Sequence, residues 1–334
     1  MGKNVLIISF LQAWGIILVV IGHSTEVPVI YPWIYSFHMP LFMFISGYLL
    51  CHGIRAGGLT FEQKVLSSGF LLKKVRRLLV PYVAISTAAL FPKVLLGRFA
   101  MRPVNFSFGE WWHMLVYPGD NVIIFFWFLP TIFLIFSVVR IGGGYLHKLG
   151  VPLYICLATS LVFHLFNPLK EVRLLNLSGV LSYLFYFILG YWTCRNDVAG
   201  FFSRRPATYL LVSIMLDAMF FALPDFFGRD VLLSVDGIAL SIALGTLYIR
   251  SNCRLLDHLY GSSYAIYLFS WFPQVLSRQV LVSLTGIPLW VGSVLAFITG
   301  LYLPLLIYRW TLSHSETRTG RILAFVSGMQ VNRR

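Results

Sequence analysis

The chain has 334 residues, 58% of them hydrophobic and only 11% charged, with a mean hydropathy of +0.80 and a formal net charge of +14. That composition excludes a soluble globular domain and leaves a polytopic membrane protein. The charge does not point to nucleic acid, because the basic residues fall in short segments between apolar runs rather than in one patch laced with aromatics.

Ten apolar segments are predicted as membrane-spanning helices, at about 5–23, 33–51, 78–96, 122–140, 151–166, 175–194, 207–224, 231–249, 263–283 and 287–310. The expected fold class is therefore all-α, a polytopic membrane protein with about ten transmembrane helices. The first apolar run is too long for a cleavable signal and lacks a small-residue cleavage pattern, so it is expected to remain as the first span. Ten spans put both termini on one side. That side collects 19 of the 26 basic residues, among them Lys3, Arg55, Arg140, Arg195, Arg250 and Arg334, and the other collects five, Arg98, Arg102, Lys170, Arg173 and Arg229. Positive residues accumulate in cytoplasmic loops, so both termini are expected in the cytoplasm. Residues 1–312 are expected to form a single transmembrane domain and 313–334 a basic cytoplasmic tail.

The first two spans, NVLIISFLQAWGIILVVIGHS and YPWIYSFHMPLFMFISGYLLCHG, each carry one histidine, His23 and His38. The loop between them has no Lys or Arg, which places both rings towards the exterior leaflet. An imidazole near the end of an apolar span is costly without a polar partner, a water cavity or a chemical task. Position alone leaves open whether His23 simply marks the interface.

After the second span runs RAGGLTFEQKVLSSGFLLKKVRRLLVPY, where Val65, Leu66, Phe70, Leu71 and Val75 fall near helical spacing. This predicts a helix lying in the cytoplasmic interface. Its cluster of Lys73, Lys74, Arg76 and Arg77 either anchors to anionic lipid or holds the phosphates of a nucleotide-like donor, a task suited to the forked guanidinium. In the exterior loop 97–121, Trp111, Trp112 and Tyr117 suit an interfacial belt. Glu110 and His113, three residues apart, could face one another on a helix, and aromatic rings bordered by polar groups also suit a sugar ring. Trp127 opens the phrase WFLPTIF, in which Pro130 should kink or locally open the helix.

Gly190, in YFILGY, is expected to permit close helix packing. Asp217 and Asp236 lie inside spans seven and eight and must be paired, protonated or hydrated. Arg278, two turns beyond Ser270, is an embedded base able to pair with an acid or receive an anionic acceptor. The four cysteines (51, 156, 194 and 253) fit neither a zinc spacing nor a disulfide framework, and no role or repeat is assigned.

The phrases LQAWGIILVVIGHS (11–24), FHMPLFMFISGYL (37–49), RLLVPY (77–82), WFLPTIF (127–133), YFILGY (186–191) and SYAIYL (263–268) resemble the membrane acyltransferase-3 family, bacterial integral-membrane O-acyltransferases of the fucose 4-O-acetylase-like type. The resemblance implies transfer of an acyl group, usually acetyl, from cytosolic acetyl-CoA to a hydroxyl of an envelope sugar or polysaccharide, in the bacterial inner membrane. Coenzyme A thiolate is a good leaving group, so no metal is required. The implied partners are acyl-CoA, the carbohydrate acceptor and the lipid bilayer, with no nucleic acid. His23 is implied as general base, with His38 orienting it, donating to the oxyanion or binding the acceptor. Glu110, Trp111, His113, Trp127, Ser270 and Arg278 are the candidate acceptor-binding residues.

The family pattern R/K-x10-H puts Gln12 at the basic position, and Ser9 stands where the family has an acid. Eleven residues of helix turn through about 1100°, ~20° from three full turns, and climb ~16 Å. Gln12 and His23 therefore share a face, as suits a donor entering from the cytosol and delivering its thioester upward. Gln12 can donate hydrogen bonds but cannot neutralise phosphate. Either Arg76 and Arg77 hold the donor instead, or the chain is an inactive relative. Ser270 stands where many relatives have histidine. Two rival expectations are a transporter or flippase for a sugar or lipid-linked glycan, which would also place polar groups inside spans, and a structural subunit of a glycan-assembly complex.

Overall fold

A computed structural model describes residues 3–25, 27–28, 30–95, 97, 107–198, 200 and 204–329. Arg98, Arg102, Arg333 and Arg334, which entered the charge balance, lie outside the described residues. Among the described residues the structure is helical and contains no strand. The helices are α1 (Lys3–Ser24), α2 (Ile30–Ala56), α3 (Phe61–Val65), α4 (Gly69–Leu95), α5 (Phe108–Val116), α6 (Ile124–Lys148), α7 (Leu153–Leu165), α8 (Leu177–Arg195), α9 (Pro206–Ala222), α10 (Arg229–Arg250), α11 (Ser263–Phe269), α12 (271–285), α13 (Leu289–Ser313) and α14 (Arg318–Val326).

Seven of these segments are long and apolar enough to cross a membrane: Val5–Ser24, Ile30–Ala56, Gly69–Leu95, Ile124–Lys148, Leu174–Arg195, Arg229–Arg250 and Leu289–Ser313. The other three expected spans are helical but short or interrupted. At 1.5 Å per residue, α7 covers only ~20 Å of a ~30 Å hydrocarbon layer. The ninth is broken by a turn at Ser270, between α11 and α12.

The chain divides into two compact units that are discontinuous in sequence. The first comprises Met1–Thr60, Val151–Phe166 and Ser182–Ser263, and so holds α1, α2, α7, most of α8, α9 and α10. Pro40 lies inside α2 and has no N–H for the carbonyl of Ser36, four residues back. The Ser234 hydroxyl of α10 donates to that carbonyl at 2.7 Å instead. One turn along α10, a Cβ on Gly237 would collide with the Phe37 ring, so only glycine lets α2 pack this closely. Leu18 of α1 with Ile34 and Phe37 of α2 form a buried cluster, flanked by Trp14, Ile21 and Trp33, that closes the seam between those two helices.

The second unit comprises Phe61–Gly150, Asn167–Leu181 and Tyr264–Arg334. Here the expected interfacial helix needs correction. A short α3 ends at Val65, where Arg140 Nη1 donates to the Val65 and Ser67 carbonyls at 2.7 and 2.6 Å. The chain then enters α4 at Gly69 and continues unbroken to Leu95, so Phe70, Leu71 and Val75 belong to the start of a membrane-length helix. Residues Val75–Leu79 form a π-helical turn within it, directly at the basic cluster. Pro130 falls in the first turn of the regular helix Phe128–Val138, after a 3₁₀ turn at Ile124–Trp127, where its missing N–H costs no hydrogen bond. α5 is tied to α4 by Tyr82, whose hydroxyl reaches the Met114 and Leu115 carbonyls at 2.9 and 3.0 Å.

Candidate active-site residues

A general base needs a ring nitrogen with a lone pair, and the histidines differ in whether they have one. His164 bonds the Ser182 carbonyl through Nδ1 at 2.5 Å and an Asp230 carboxylate oxygen through Nε2 at 3.2 Å. Both partners only accept, so both nitrogens carry hydrogen and the ring cannot take a proton. His113 Nε2 meets Asp120 at 3.2 Å, and Asp120 also receives Arg173 at 2.5 Å. His113 is therefore partnered through the turn after α5 rather than with Glu110, which is exposed, so the expected Glu110–His113 pairing is not formed.

The first unit brings His23 and His38 together around a residue that the sequence reading missed. The Tyr35 hydroxyl lies 3.3 Å from His23 Nδ1, and its ring stands edge-on to the His38 ring at 4.8 Å between centroids. Tyr31 stacks on Tyr35 at 4.0 Å. Residues 31, 35 and 38 follow the i, i+4, i+7 spacing of one helical face, and this was the available signal. His38 is 3% exposed and donates from Nδ1 to the Ile34 carbonyl at 2.8 Å, which fixes its tautomer and leaves Nε2 as the accepting nitrogen. A neutral His38 thus accepts rather than donates at Nε2, which disfavours the oxyanion-donor role among the three open to it. His23 is half-buried. The Tyr35 hydroxyl can accept from a protonated Nδ1 or donate to a bare one; in the Nδ1–H tautomer the His23 lone pair is on Nε2.

Gln12 lies eleven residues before His23 on the uninterrupted α1. Ile16 and Val19 share that face and are 0% and 2% exposed, so the middle of the stripe is turned into protein, while Gln12 and His23 at its ends are half-buried. On the same unit Trp33 Nε1 donates to Asp217 Oδ2 at 2.7 Å. Asp217 Oδ1 and Asp236 Oδ2 are buried with no N–H or hydroxyl donor, and the two carboxyl groups lie within hydrogen-bonding reach of each other.

The second unit holds the other expected residues. Lys74 Nζ sits 3.6 Å from the Phe136 ring centroid and 5.7 Å from that of Phe70. The Arg77 guanidinium lies 5.5 Å over Tyr264, whose hydroxyl donates to the Arg77 carbonyl. Lys73 and Arg76 are exposed. Trp111 Nε1 donates to Thr87 Oγ1 at 2.8 Å, which ties that indole to α4, whereas Trp127 sits half-buried in the 3₁₀ turn before Phe128. Ser270 is 0% exposed and its hydroxyl has no partner. Arg278 is half-buried within the π-helical turn Leu276–Leu281. Among the described residues no group of three or more His, Cys, Asp or Glu side chains is placed to hold a metal.

A family model described as an acyltransferase domain matches residues 5–309. No curated protein and no solved structure matches the chain.

Proposed function

The chain belongs to the acyltransferase-3 family and is an integral-membrane acyltransferase, and on that premise we propose that it is an O-acyltransferase that moves an acyl group, in the first instance acetyl, from coenzyme A to a hydroxyl of an envelope carbohydrate in the bacterial inner membrane. The observation that carries this reading is the His23–Tyr35–His38 array, in which two histidines share one aromatic neighbour.

A sugar hydroxyl is a weak nucleophile. His23, in its Nδ1–H tautomer, takes the hydroxyl proton on Nε2 as the oxygen attacks the thioester carbonyl, and Tyr35 holds the ring at Nδ1. The carbonyl oxygen gains negative charge, the tetrahedral intermediate collapses, and coenzyme A leaves as thiolate, taking back the proton. His38 orients Tyr35 by its edge contact. For the donor, the exposed Lys73 and Arg76 with the outer edge of Arg77 supply the phosphate-binding charge that Gln12 lacks. Lys74 packs against Phe136 and Phe70 instead. Glu110, Trp111, His113, Trp127, Ser270 and Arg278 remain the acceptor-binding set.

The test supplies acetyl-labelled acetyl-CoA to membranes that contain the chain and to membranes that lack it. The proposal expects chain-dependent label in the carbohydrate fraction that mild base releases, as an O-ester requires. Label that stays in acetyl-CoA, or enters only base-resistant products, overturns it.

A further inference from the structure

Two helices of the first unit carry the same phrase, 143 residues apart. Residues 44–51 of α2 read FISGYLLC and residues 187–194 of α8 read FILGYWTC, identical at Phe, Ile, Gly, Tyr and Cys. The structure packs these copies against one another with equivalent positions in register. A Cβ on Gly47 would strike the Phe187 carbonyl oxygen, and a Cβ on Gly190 would strike the Phe44 carbonyl oxygen. The contact is reciprocal, and the two backbones touch at the glycines with no side chain between them. Four residues further along each helix, on the same face, stand Cys51 and Cys194. Both are 3% exposed, both are free, and their thiols are within hydrogen-bonding reach of each other. One turn beyond, Arg55 Nη1 donates to the Cys194 carbonyl at 2.8 Å and fastens the ends of the two helices.

From this geometry we infer that Cys51 and Cys194 are a disulfide-competent pair, a redox modification site that clamps α2 to α8. Disulfides need Cα atoms ~4.4–6.8 Å apart, and thiols in hydrogen-bonding reach of each other, one turn from a backbone contact, are in range of that separation. In the reaction each thiol gives up its hydrogen and the S–S bond forms. The two electrons and two protons pass to a small two-electron oxidant: a low-molecular-weight disulfide leaves as two thiols, and diamide is reduced at its N=N bond to the hydrazine. The clamp lies on the same helix as His38, about three and a half turns away, so oxidation fixes the C-terminal half of the helix that carries the candidate site.

Differential alkylation tests the inference on the wild-type protein in its membrane. The protein is treated with diamide, denatured and alkylated with one reagent, then reduced and alkylated with a second of different mass, and each cysteine peptide is weighed. Cys51 and Cys194 are expected to carry the second reagent, and Cys156 and Cys253 the first. In Cys51→Ser, Cys194 is expected to switch to the first reagent, which assigns the pairing. First reagent on Cys51 and Cys194 in the wild type, or second reagent retained on Cys194 in Cys51→Ser, overturns the inference.

Discussion

At the scale of single residues, the proposed chemistry turns on which nitrogen of which ring can accept a proton. Replacing His23 by alanine removes the base and should lower acyl transfer by ~10²–10⁴-fold. Tyr35→Phe removes one hydrogen bond to His23 Nδ1 of about 1 kcal/mol and should cost only a few-fold in turnover, with the apparent affinity for donor unchanged. The two variants are separated by kcat measured at saturating donor. Trp33 and Asp217 give a stability prediction. Asp217→Asn keeps an acceptor for the indole and should unfold in detergent near the wild-type temperature, whereas Asp217→Ala strands a buried N–H and should lose about 1–3 kcal/mol. Asp217→Ala melting with the wild type would show that this bond is not structural. His23 and His38 could be found from the sequence because a polar ring in an apolar run is conspicuous. Tyr35 could not be singled out in so aromatic a stretch until its hydroxyl was seen against His23, and Asp120 displaced Glu110 because a turn, not a helical face, delivers the partner of His113.

At the scale of elements, two kinds of close contact were treated differently by the sequence. Proline positions were legible but their consequences were not: Pro40 frees the Ser36 carbonyl, and only the fold shows that Ser234 takes it. The basic run at 73–77 has the same apolar spacing whether it lies in the interface or begins a span, so periodicity could not decide that α4 is continuous. Gly190 was expected to allow close packing, and its partner is the Phe44 backbone. Gly190→Leu should therefore destabilise by at least about 1–3 kcal/mol through overpacking. Gly53→Ala, on the same α2 but with nothing within 4 Å of the added carbon, should be neutral or slightly stabilising. Thermal unfolding of the two variants checks the contrast, and equal behaviour would remove the close crossing. On α4, Arg76→Ala should raise the donor KM several-fold with little change in stability. Lys74→Ala should do the reverse and lose ~0.5–2 kcal/mol of cation–π and packing energy.

At the scale of the whole molecule, the sequence phrases that resemble the acyltransferase-3 family led to the family whose model matches residues 5–309. The two compact units were not legible, since each is assembled from three separate stretches and hydropathy records spans rather than their partners. The FIxGYxxC copies went unnoticed for the same reason: eight residues at a separation of 143 make no periodic signal until the helices are seen in register. The measurement that tests the central claim most directly is transfer of labelled acetyl from acetyl-CoA to carbohydrate by wild type and His23→Ala, inserted to equal levels in the same membranes. Base-labile label with wild type and a fall of at least ~100-fold with His23→Ala are expected. Equal transfer by the two proteins would contradict that claim.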